Sequence, residues 1–187
     1  HYPLRRQRQM CIRDSVRSFA LASGVASGVL TTSEYATGYD FFEDKDQVEI
    51  DFLISPSMAT RTDHDAVVSD LIGTSAGRKD CVTVFSPARD DVVNLTNAST
   101  ITTNITATGD AITPFSSYAF MDGNFLKVYD KFNDQFIFIP AASSTAGIMA
   151  ATDLNRAAWF SPAGSRRGQY LGITSLAWTP TKGQRDS

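Results

Sequence analysis

Two short apolar stretches on either side of one amphipathic helix constrain the fold of this chain more than any other feature. The first stretch, Val48 to Ile54, alternates its side chains as a strand does, and Ser55 and Pro56 end it. Thr62 to Asp65 has the Ser/Thr-x-x-acid form of a helix start, and apolar residues then share one helical face as far as Gly77. Cys81 to Phe85 is typical of a buried parallel strand. This order predicts a strand-helix-strand unit with a right-handed crossover.

The next segment, residues 90–113, is ambiguous. Its many Thr and Asn residues favour strand or loop, while the spacing of its Val, Leu and Ile residues fits a helical stripe. If the crossover pattern continues, a helix belongs here despite the weak local propensity.

The remaining sequence continues as strands and helices. Ser117 to Met121 is predicted to be a strand, Asp122 to Asn124 a turn, and Leu126–Tyr129 with Phe136–Ile139 a hairpin. Ser143 or Ser144 is the predicted cap of a helix that ends near residue 156, and its small residues allow close approach to a sheet. A fixed loop at 159–164 and an apolar segment at 170–178 follow. The predicted fold class is α/β, a layered strand-helix-strand domain that we expect to be incomplete at both ends.

Charge is unevenly distributed along the 187 residues, which carry a net charge of −3 and two cysteines. Residues 1–15 hold four of the basic residues and one of the acidic ones. A secretory signal or a polybasic arm would explain this opening, but RRQRQMCIRDS resembles the translation of sequencing-adapter read-through, so we interpret residues 1–15 as a non-native artefact. The remainder has 13 basic and 19 acidic residues, a net charge of −6.

Composition also excludes two classes of partner. An acidic chain lacks the basic footprint of a nucleic-acid binder. The longest apolar-leaning stretch, Phe19 to Leu30, has only 12 residues, fewer than the roughly 20 that span a bilayer. We therefore predict neither nucleic-acid binding nor membrane insertion.

Catalytic and metal-binding motifs are missing from the sequence. Neither a phosphate-binding glycine pattern nor a G-x-S-x-G nucleophile motif occurs. His64 is interpreted as an exposed residue of a first helical turn rather than a catalytic base. Cys81 is interpreted as a small buried apolar residue, and Glu43, Asp44 and Asp46 as a solvated loop. The sequence thus predicts no catalytic residue, no cofactor and no metal.

From Ser117 onward the sequence contains an ordered series of short motifs. These are Asp122-Gly123, Tyr129-Asp130-Lys131-Phe132-Asn133-Asp134, Pro140, Ala146-Gly147, Thr152-Asp153, and then Trp159, Ser161, Pro162, Ala163, Gly164, Arg167 and Gly168. Upstream, Arg78-Lys79-Asp80-Cys81 precedes Phe85-Ser86-Pro87. Over about residues 30–187 this series resembles the tail sheath proteins of contractile-tailed, myovirus-type phages. Ser165 and Arg166 depart from the family's frequent aromatic-Asn pair.

The resemblance implies a structural protein rather than an enzyme. Sheath subunits form homo-hexameric rings in a helical lattice around the tail tube, and the sheath contracts to drive the tube through the host envelope for genome ejection. The implied partners are other sheath subunits, the tail tube protein, the baseplate and the tail terminator. The implied location is the virion tail, assembled in the bacterial host cytoplasm.

The resemblance also implies a domain organisation and a subtilisin-like fold for the core. We expect an N-terminal loop or extension at residues 16–44, the α/β sheath core at 45–179, and the truncated start of the C-terminal sheath domain at 180–187. Within the core, Trp159, Pro162 and Gly164 are expected to act on conformation, with Trp159 filling a cavity. Arg166 and Arg167 are candidates for pairing with acidic groups of a neighbour.

Two alternatives remain open at this point. The chain is alternatively a sheath subunit of a cellular contractile injection system, which neighbouring genes would distinguish from a phage. A layered α/β domain also accommodates a hydrolase, although fold alone does not confer function.

Overall fold

The computed structural model describes residues 30–114 and 116–185. Residues Thr31–Ser187 form one compact unit. The segment at 1–15, interpreted above as non-native, lies outside the described residues, as do residues 19–29 of the apolar stretch.

The described residues alternate between helices and strands. In chain order the elements are α1 (Thr32–Asp40), β1 (Phe52–Ile54), α2 (Arg61–Arg78), β2 (Val82–Phe85), a short 3-10 turn (Arg89–Asp91), α3 (Ala98–Ala111), β3 (Ala119–Met121), β4 (Phe125–Asp130), β5 (Gln135–Pro140), α4 (Ala141–Asn155), β6 (Ile173–Leu176) and α5 (Lys182–Arg185). The predicted α/β class is confirmed.

The first three strands form a parallel sheet in the order β1-β2-β3. Helix α2 covers one face, where Val67 and Leu71 pack with Leu53. Helix α4 covers the other face, where Ala142 and Ala146 pack against Val84. A parallel sheet buried on both faces explains why β1 and β2 are apolar runs.

Among the described residues, no fully buried side-chain nitrogen or oxygen atom lacks a hydrogen-bond partner. Thr83, in the central strand, donates to the Leu71 carbonyl at 3.0 Å and contacts the Ser75 hydroxyl at 3.0 Å. Arg78, only 6% exposed at the end of α2, donates to the Val48 carbonyl at 2.9 Å and pairs with Asp80 at 2.9 Å. The Arg-Lys-Asp motif therefore ties the end of α2 to the chain that precedes β1.

Several element boundaries differ from the predictions. Only Phe52–Ile54 of the predicted strand Val48–Ile54 pairs with β2. Helix α2 begins at Arg61, with Thr60 rather than Thr62 at the N-cap position, and the Thr60 hydroxyl donates to the Asp63 carboxylate at 2.6 Å. Helix α4 begins at Ala141, directly after Pro140, and Ser143 donates to the Pro140 carbonyl instead of capping.

Helix α3 resolves the ambiguity of residues 90–113. Asn97 caps it by accepting the Ser99 N–H at 3.0 Å, which satisfies one of the helix's unpaired donors. Ile101, only 2% exposed, packs with Val92, Val93 and Phe125. Burial of this stripe outweighs the weak propensity of a Thr-rich helix.

The second sheet is antiparallel and has the order β5-β4-β6. The predicted hairpin is confirmed, since β4 pairs with β5 from Phe125 opposite Pro140 to Asp130 opposite Gln135. Phe125, at the base of β4, is fully buried in the cluster beneath α3. The antiparallel sheet therefore packs against α3 at this residue.

Helix α1 lies within the predicted N-terminal extension, where no element was expected. Thr31 and Glu34 form a capping box at its start. Tyr35 and Tyr39 pack against the core, and the Tyr39 hydroxyl donates to the Ile54 carbonyl at 2.8 Å. None of the helices in the described part of the chain combines the length and the apolar character needed to cross a membrane.

Candidate functional site

The candidate site residues among the sequence motifs lie in three places, while Pro140 ends β5 and the motif residues 146–147 and 152–153 lie in α4. Asp122 and Gly123 follow β3 at the carboxyl edge of the parallel sheet. A second group forms the turn between β4 and β5. The third group belongs to the loop at residues 157–172, between α4 and β6. Hydrogen bonds connect the first place to the third, while the turn stands apart.

The β4-β5 turn is held by its own motif side chains. Asp130 accepts the Phe132 N–H at 3.0 Å and the Asn133 side-chain amide at 2.6 Å. The Tyr129 hydroxyl donates to Asp134, which takes a positive φ of 51°. This bond to Asp134 raises the pKa of Tyr129. Four motif residues thus fix one turn conformation and leave Phe132 pointing into solvent at 87% exposure.

Titration of Asp130 tests this arrangement. The Asn133 amide and the Phe132 N–H stabilise the carboxylate and hold the pKa of Asp130 below its usual value of 3.8. Because the folded-state pKa is depressed, the stabilisation is present above the unfolded pKa and lost as pH falls through the folded pKa. In an NMR titration we expect Asn133→Ala to raise the Asp130 midpoint, whereas Lys131→Ala should leave it low. An unchanged midpoint in Asn133→Ala would contradict the assignment.

At the carboxyl edge of the parallel sheet, Asp122 joins three elements. Its carboxylate accepts hydrogen bonds from Thr145, in α4, and from the Tyr170 hydroxyl at 3.0 Å. Thr145 and Tyr170 also contact each other at 2.8 Å. Burial raises the pKa of the Tyr170 phenol, so it remains a donor at neutral pH. Asp122 therefore anchors the end of the 157–172 loop to the sheet.

The glycines of this loop have specific conformational roles. Gly164 takes a φ of +109°, which confirms the prediction that it permits an unusual backbone angle. The Gly168 N–H donates to the Gly164 carbonyl at 2.8 Å and closes a tight turn. A Cβ at Gly168 would lie 3.0 Å from the Pro162 carbonyl oxygen. The motif Pro-Ala-Gly with a later Gly thus encodes a compact loop.

Alanine substitutions at two glycines distinguish the effect of close packing on stability from the effect of helix propensity. Gly168→Ala should lower the free energy of unfolding by about 1 kcal/mol, because the new methyl group meets backbone atoms that cannot move aside independently. Gly147→Ala, in helix α4 with open space around its Cα, should raise it by roughly 0.5–1 kcal/mol. Urea denaturation measures both, and a stabilising Gly168→Ala would refute the packing.

Two further residues of this loop, Trp159 and Arg167, have predicted roles, and the structure tests only that of Trp159. Trp159 is 83% exposed, so the prediction that it fills a cavity is wrong for this chain. Its ring contacts Phe160, with centroids 5.5 Å apart. Arg167 stacks on the Phe160 ring at 4.3 Å, and its pairing with an acidic group of a neighbouring subunit stays a prediction. Its neighbour Arg166 is exposed.

His64 is buried, which corrects its interpretation as an exposed residue. It is 1% exposed, and its Nε2 lies 2.6 Å from the Ser86 carbonyl while its Nδ1 lies 2.9 Å from Asp65. His64 lies three residues before Val67 and four before Val68, so it shares the buried face of α2, and Asp65 lies against its ring. Ser86 uses its carbonyl for His64 and its hydroxyl for the Ala142 N–H at 3.0 Å. His64 therefore connects α2 to the residue that directly follows β2.

Other candidates for reactive chemistry are structural. Cys81 is 2% exposed, as predicted, and burial raises the pKa of its thiol above the usual range. Glu43, Asp44 and Asp46 are exposed, as a solvated loop requires. Within residues 30–114 and 116–185 no group of three His, Cys, Asp or Glu side chains is placed to hold a metal ion.

Sequence reasoning missed Thr145, Tyr170 and Phe160. Thr145 and Tyr170 complete the hydrogen-bond set of Asp122, and Phe160 receives Arg167. A signal for the first two existed, since a carboxylate directly after a parallel strand needs donors from neighbouring elements. Phe160 lies inside a recognised motif, but no spacing rule relates it to Arg167.

The family profile described as phage tail sheath protein central domain matches residues 28–187. The tail sheath protein of Enterobacteria phage T4 is 34% identical over 178 residues, covering 89% of this chain and 27% of that protein. The tail sheath protein of Salmonella phage ViI is 37% identical over 115 residues, covering 62% of this chain and 18% of the relative. That of Vibrio phage KVP40 is 35% identical over 121 residues, covering 59% and 18%.

The chain therefore spans about a quarter or less of these relatives, at 27% and 18% of their lengths. The matched region includes all three motif-bearing places, from Asp122 to Gly168. The chain belongs to the phage tail sheath protein family and carries its central domain.

Proposed function

We propose that the chain is part of the structural subunit of a contractile phage tail sheath, which polymerises around the tail tube and contracts to drive it through the host envelope for genome ejection. The match of the central-domain profile to residues 28–187 carries this proposal. The relatives named above are phage proteins, which favours a phage tail over a cellular injection system. No observation favours a hydrolase.

The described structure suits a load-bearing role. Hydrogen bonds fix each motif-bearing place: the turn by Asp130, the sheet edge by Asp122, and the loop by its glycines. A contracting lattice needs subunits that keep their own fold while contacts between them change. A modest difference per contact between two packings, repeated over many subunits, supplies a large total free energy. Such a device needs no bound nucleotide or metal.

The proposed partners and location follow from this role. Other sheath subunits form hexameric rings around the tail tube protein, with the baseplate and the tail terminator at the two ends of the sheath. The particle is assembled in the bacterial cytoplasm, and the mature protein lies in the virion tail. The absence of nucleic-acid and membrane partners remains part of the proposal.

Domain boundaries and the finer fold are also proposals. We place the N-terminal extension at 16–44, the core at 45–179 and the start of the C-terminal domain at 180–187. Three parallel strands with α2 and α4 on opposite faces support a subtilisin-like core. In this core the motif residues are structural: they hold the turn, the sheet edge and the loop.

Replacement of the matching segment of the T4 tail sheath protein tests the function. Residues 31–185 of this chain would be exchanged into that protein, and the chimera supplied to a T4 mutant that makes no sheath. We expect electron micrographs to show tails with extended sheaths that shorten on contraction. A chimera carrying the matching segment of the ViI protein is the control. Sheathed tails with the control and bare tubes with this chain would contradict the proposal.

A further inference from the structure

The β4-β5 hairpin protrudes and carries an exposed aromatic ring on a fixed turn. Burial decreases along β4, from fully buried Phe125 and Leu126 to Tyr129 at 51% exposure. Beyond it, Phe132 is 87% exposed on a turn that the Asp130 carboxylate fixes. A rigidly presented aromatic ring loses little conformational entropy on binding and is a common anchor of protein interfaces.

A cavity of about 330 Å³ lies at the amino edge of the parallel sheet. Its apolar wall is formed by the first residues of β1 and β2, by α4, and by the 157–172 loop: Phe52, Val82, Met149, Phe160 and Pro162. All five are partly exposed. A cavity of roughly 150 Å³ is enough to hold a benzene ring, so a phenyl side chain fits here with room to spare.

The mouth of this cavity is acidic. Asp51, Asp80 and Asp153 line it, with Lys79 as the only lysine. Asp80 is already paired with Arg78 at 2.9 Å, and this pairing lowers the pKa of Asp80. Among the lining residues, Asp51 and Asp153, both exposed, therefore outnumber Lys79, while Arg167, which stacks on Phe160, is not part of the lining. The opening favours a cation beside an apolar group.

The hairpin tip offers that combination. Lys131 Nζ lies 5.1 Å from the centroid of the Phe132 ring, so a ring that enters a cavity brings an ammonium group to its mouth. We propose that Phe132 of one copy of this chain inserts into the cavity of a second copy, with Lys131 facing Asp51 and Asp153. The choice of a second copy as partner rests on the proposed sheath function.

The base of the hairpin and the cavity lie at opposite edges of the parallel sheet. The hairpin starts and ends at the carboxyl edge of the parallel sheet, where the Ala141 N–H donates to the Asn124 carbonyl at 3.1 Å. The cavity begins at Phe52 and Val82, the first residues of β1 and β2. A contact between two different surfaces is heterologous, and repetition of such contacts produces rings or helical assemblies. This is the symmetry that a sheath requires.

Photo-crosslinking of the purified 187-residue chain tests the contact. The photoreactive residue p-benzoylphenylalanine would replace Phe132, or Leu171 as a control of equal exposure at 87%. We expect covalent dimers from position 132, with mass spectrometry locating the link in peptides that contain Phe52, Met149 or Phe160. Dimer yields no higher than those from position 171, or links to other peptides, would overturn the proposal.

Charge reversal provides a second readout with the same crosslinker. Lys131→Asp and Asp153→Lys should each lower the dimer yield roughly two- to fivefold, the size expected for an exposed charge pair. The double variant should restore the yield, because the pair is re-formed with opposite polarity. Failure of the double variant to recover would remove the proposed pairing of Lys131 with Asp153.

The crosslinking result and the chimera result test different claims, so either claim can fail without the other. Sheathed chimeric tails without crosslinks from position 132 would reject the hairpin contact and leave the function in place. Crosslinks in the cavity from a chain whose chimera builds no sheath would reject the function and retain the contact as a mode of self-association.

Discussion

Replacement of Phe125 by alanine should lower the free energy of unfolding by about 3–5 kcal/mol. Phe125 is fully buried where β4 meets α3, in contact with Val92, Val93 and Ile101. Removing its ring leaves a cavity beneath α3 that this helix cannot close without leaving its other contacts. Urea denaturation followed by circular dichroism measures the loss.

The matched control is Phe132→Ala, seven residues along the same hairpin. Since Phe132 is 87% exposed, its truncation should change the stability by no more than about 0.5 kcal/mol. Equal losses from the two substitutions would show that the hairpin does not pack as described. The control also verifies that Phe132 is free for an intermolecular role without being needed for folding.

Enlargement of Ala142 to leucine should destabilise the protein by about 1–3 kcal/mol through overpacking. Ala142 is fully buried on α4, where it contacts Val84 in the central strand, and its N–H donates to the Ser86 hydroxyl at 3.0 Å. The added carbons push the helix away from the sheet and stretch that hydrogen bond. Thermal and urea unfolding report the change.

Ala150→Leu is the control for this substitution. It lies on the exposed face of the same helix, so the same change should alter stability by no more than about 0.5 kcal/mol. A tolerated leucine at residue 142 would mean that α4 does not lie close to the sheet. The small residues of this helix would then need another explanation.

The predictable part of the fold came from patterns that a two-sided sheet imposes. The apolar run at Cys81–Phe85 and the helical stripe before it were sufficient for a parallel strand-helix-strand unit, because a strand buried on both faces cannot alternate. The hairpin followed from its turn residues. Helix α3 required the topological expectation, since its Thr-rich composition favours other states and burial of Ile101 decides the outcome.

His64 and Trp159 were assigned to the wrong environments for two different reasons. His64 lies three residues before Val67 and four before Val68, so the helical period places it on the buried face despite its polar ring. Trp159 is large and apolar, which favours burial, yet the fixed loop presents it to solvent. The orientation of that loop depends on contacts between distant segments, which local composition does not encode.

Some motif residues make contacts that are local in sequence, and others depend on residues far along the chain. Tyr129, Asp130, Asn133 and Asp134 lie close together in sequence, and the structure joins them in one turn, as expected of a local motif. Asp122 depends on Tyr170, 48 residues away, and no spacing rule predicts that hydrogen bond. Resemblance to the sheath family identified these positions, while the structure explains how each one holds its surroundings.

Cryo-electron microscopy of the chimeric T4 tail tests the central claim most directly. If the chain is the central domain of a sheath subunit, every subunit of the extended sheath should contain a three-stranded parallel sheet between α2 and α4, with the β4-β5 hairpin starting and ending at its carboxyl edge. A sheath whose density in this region shows a different arrangement of strands and helices, or tails from which the chimera is absent, would contradict it.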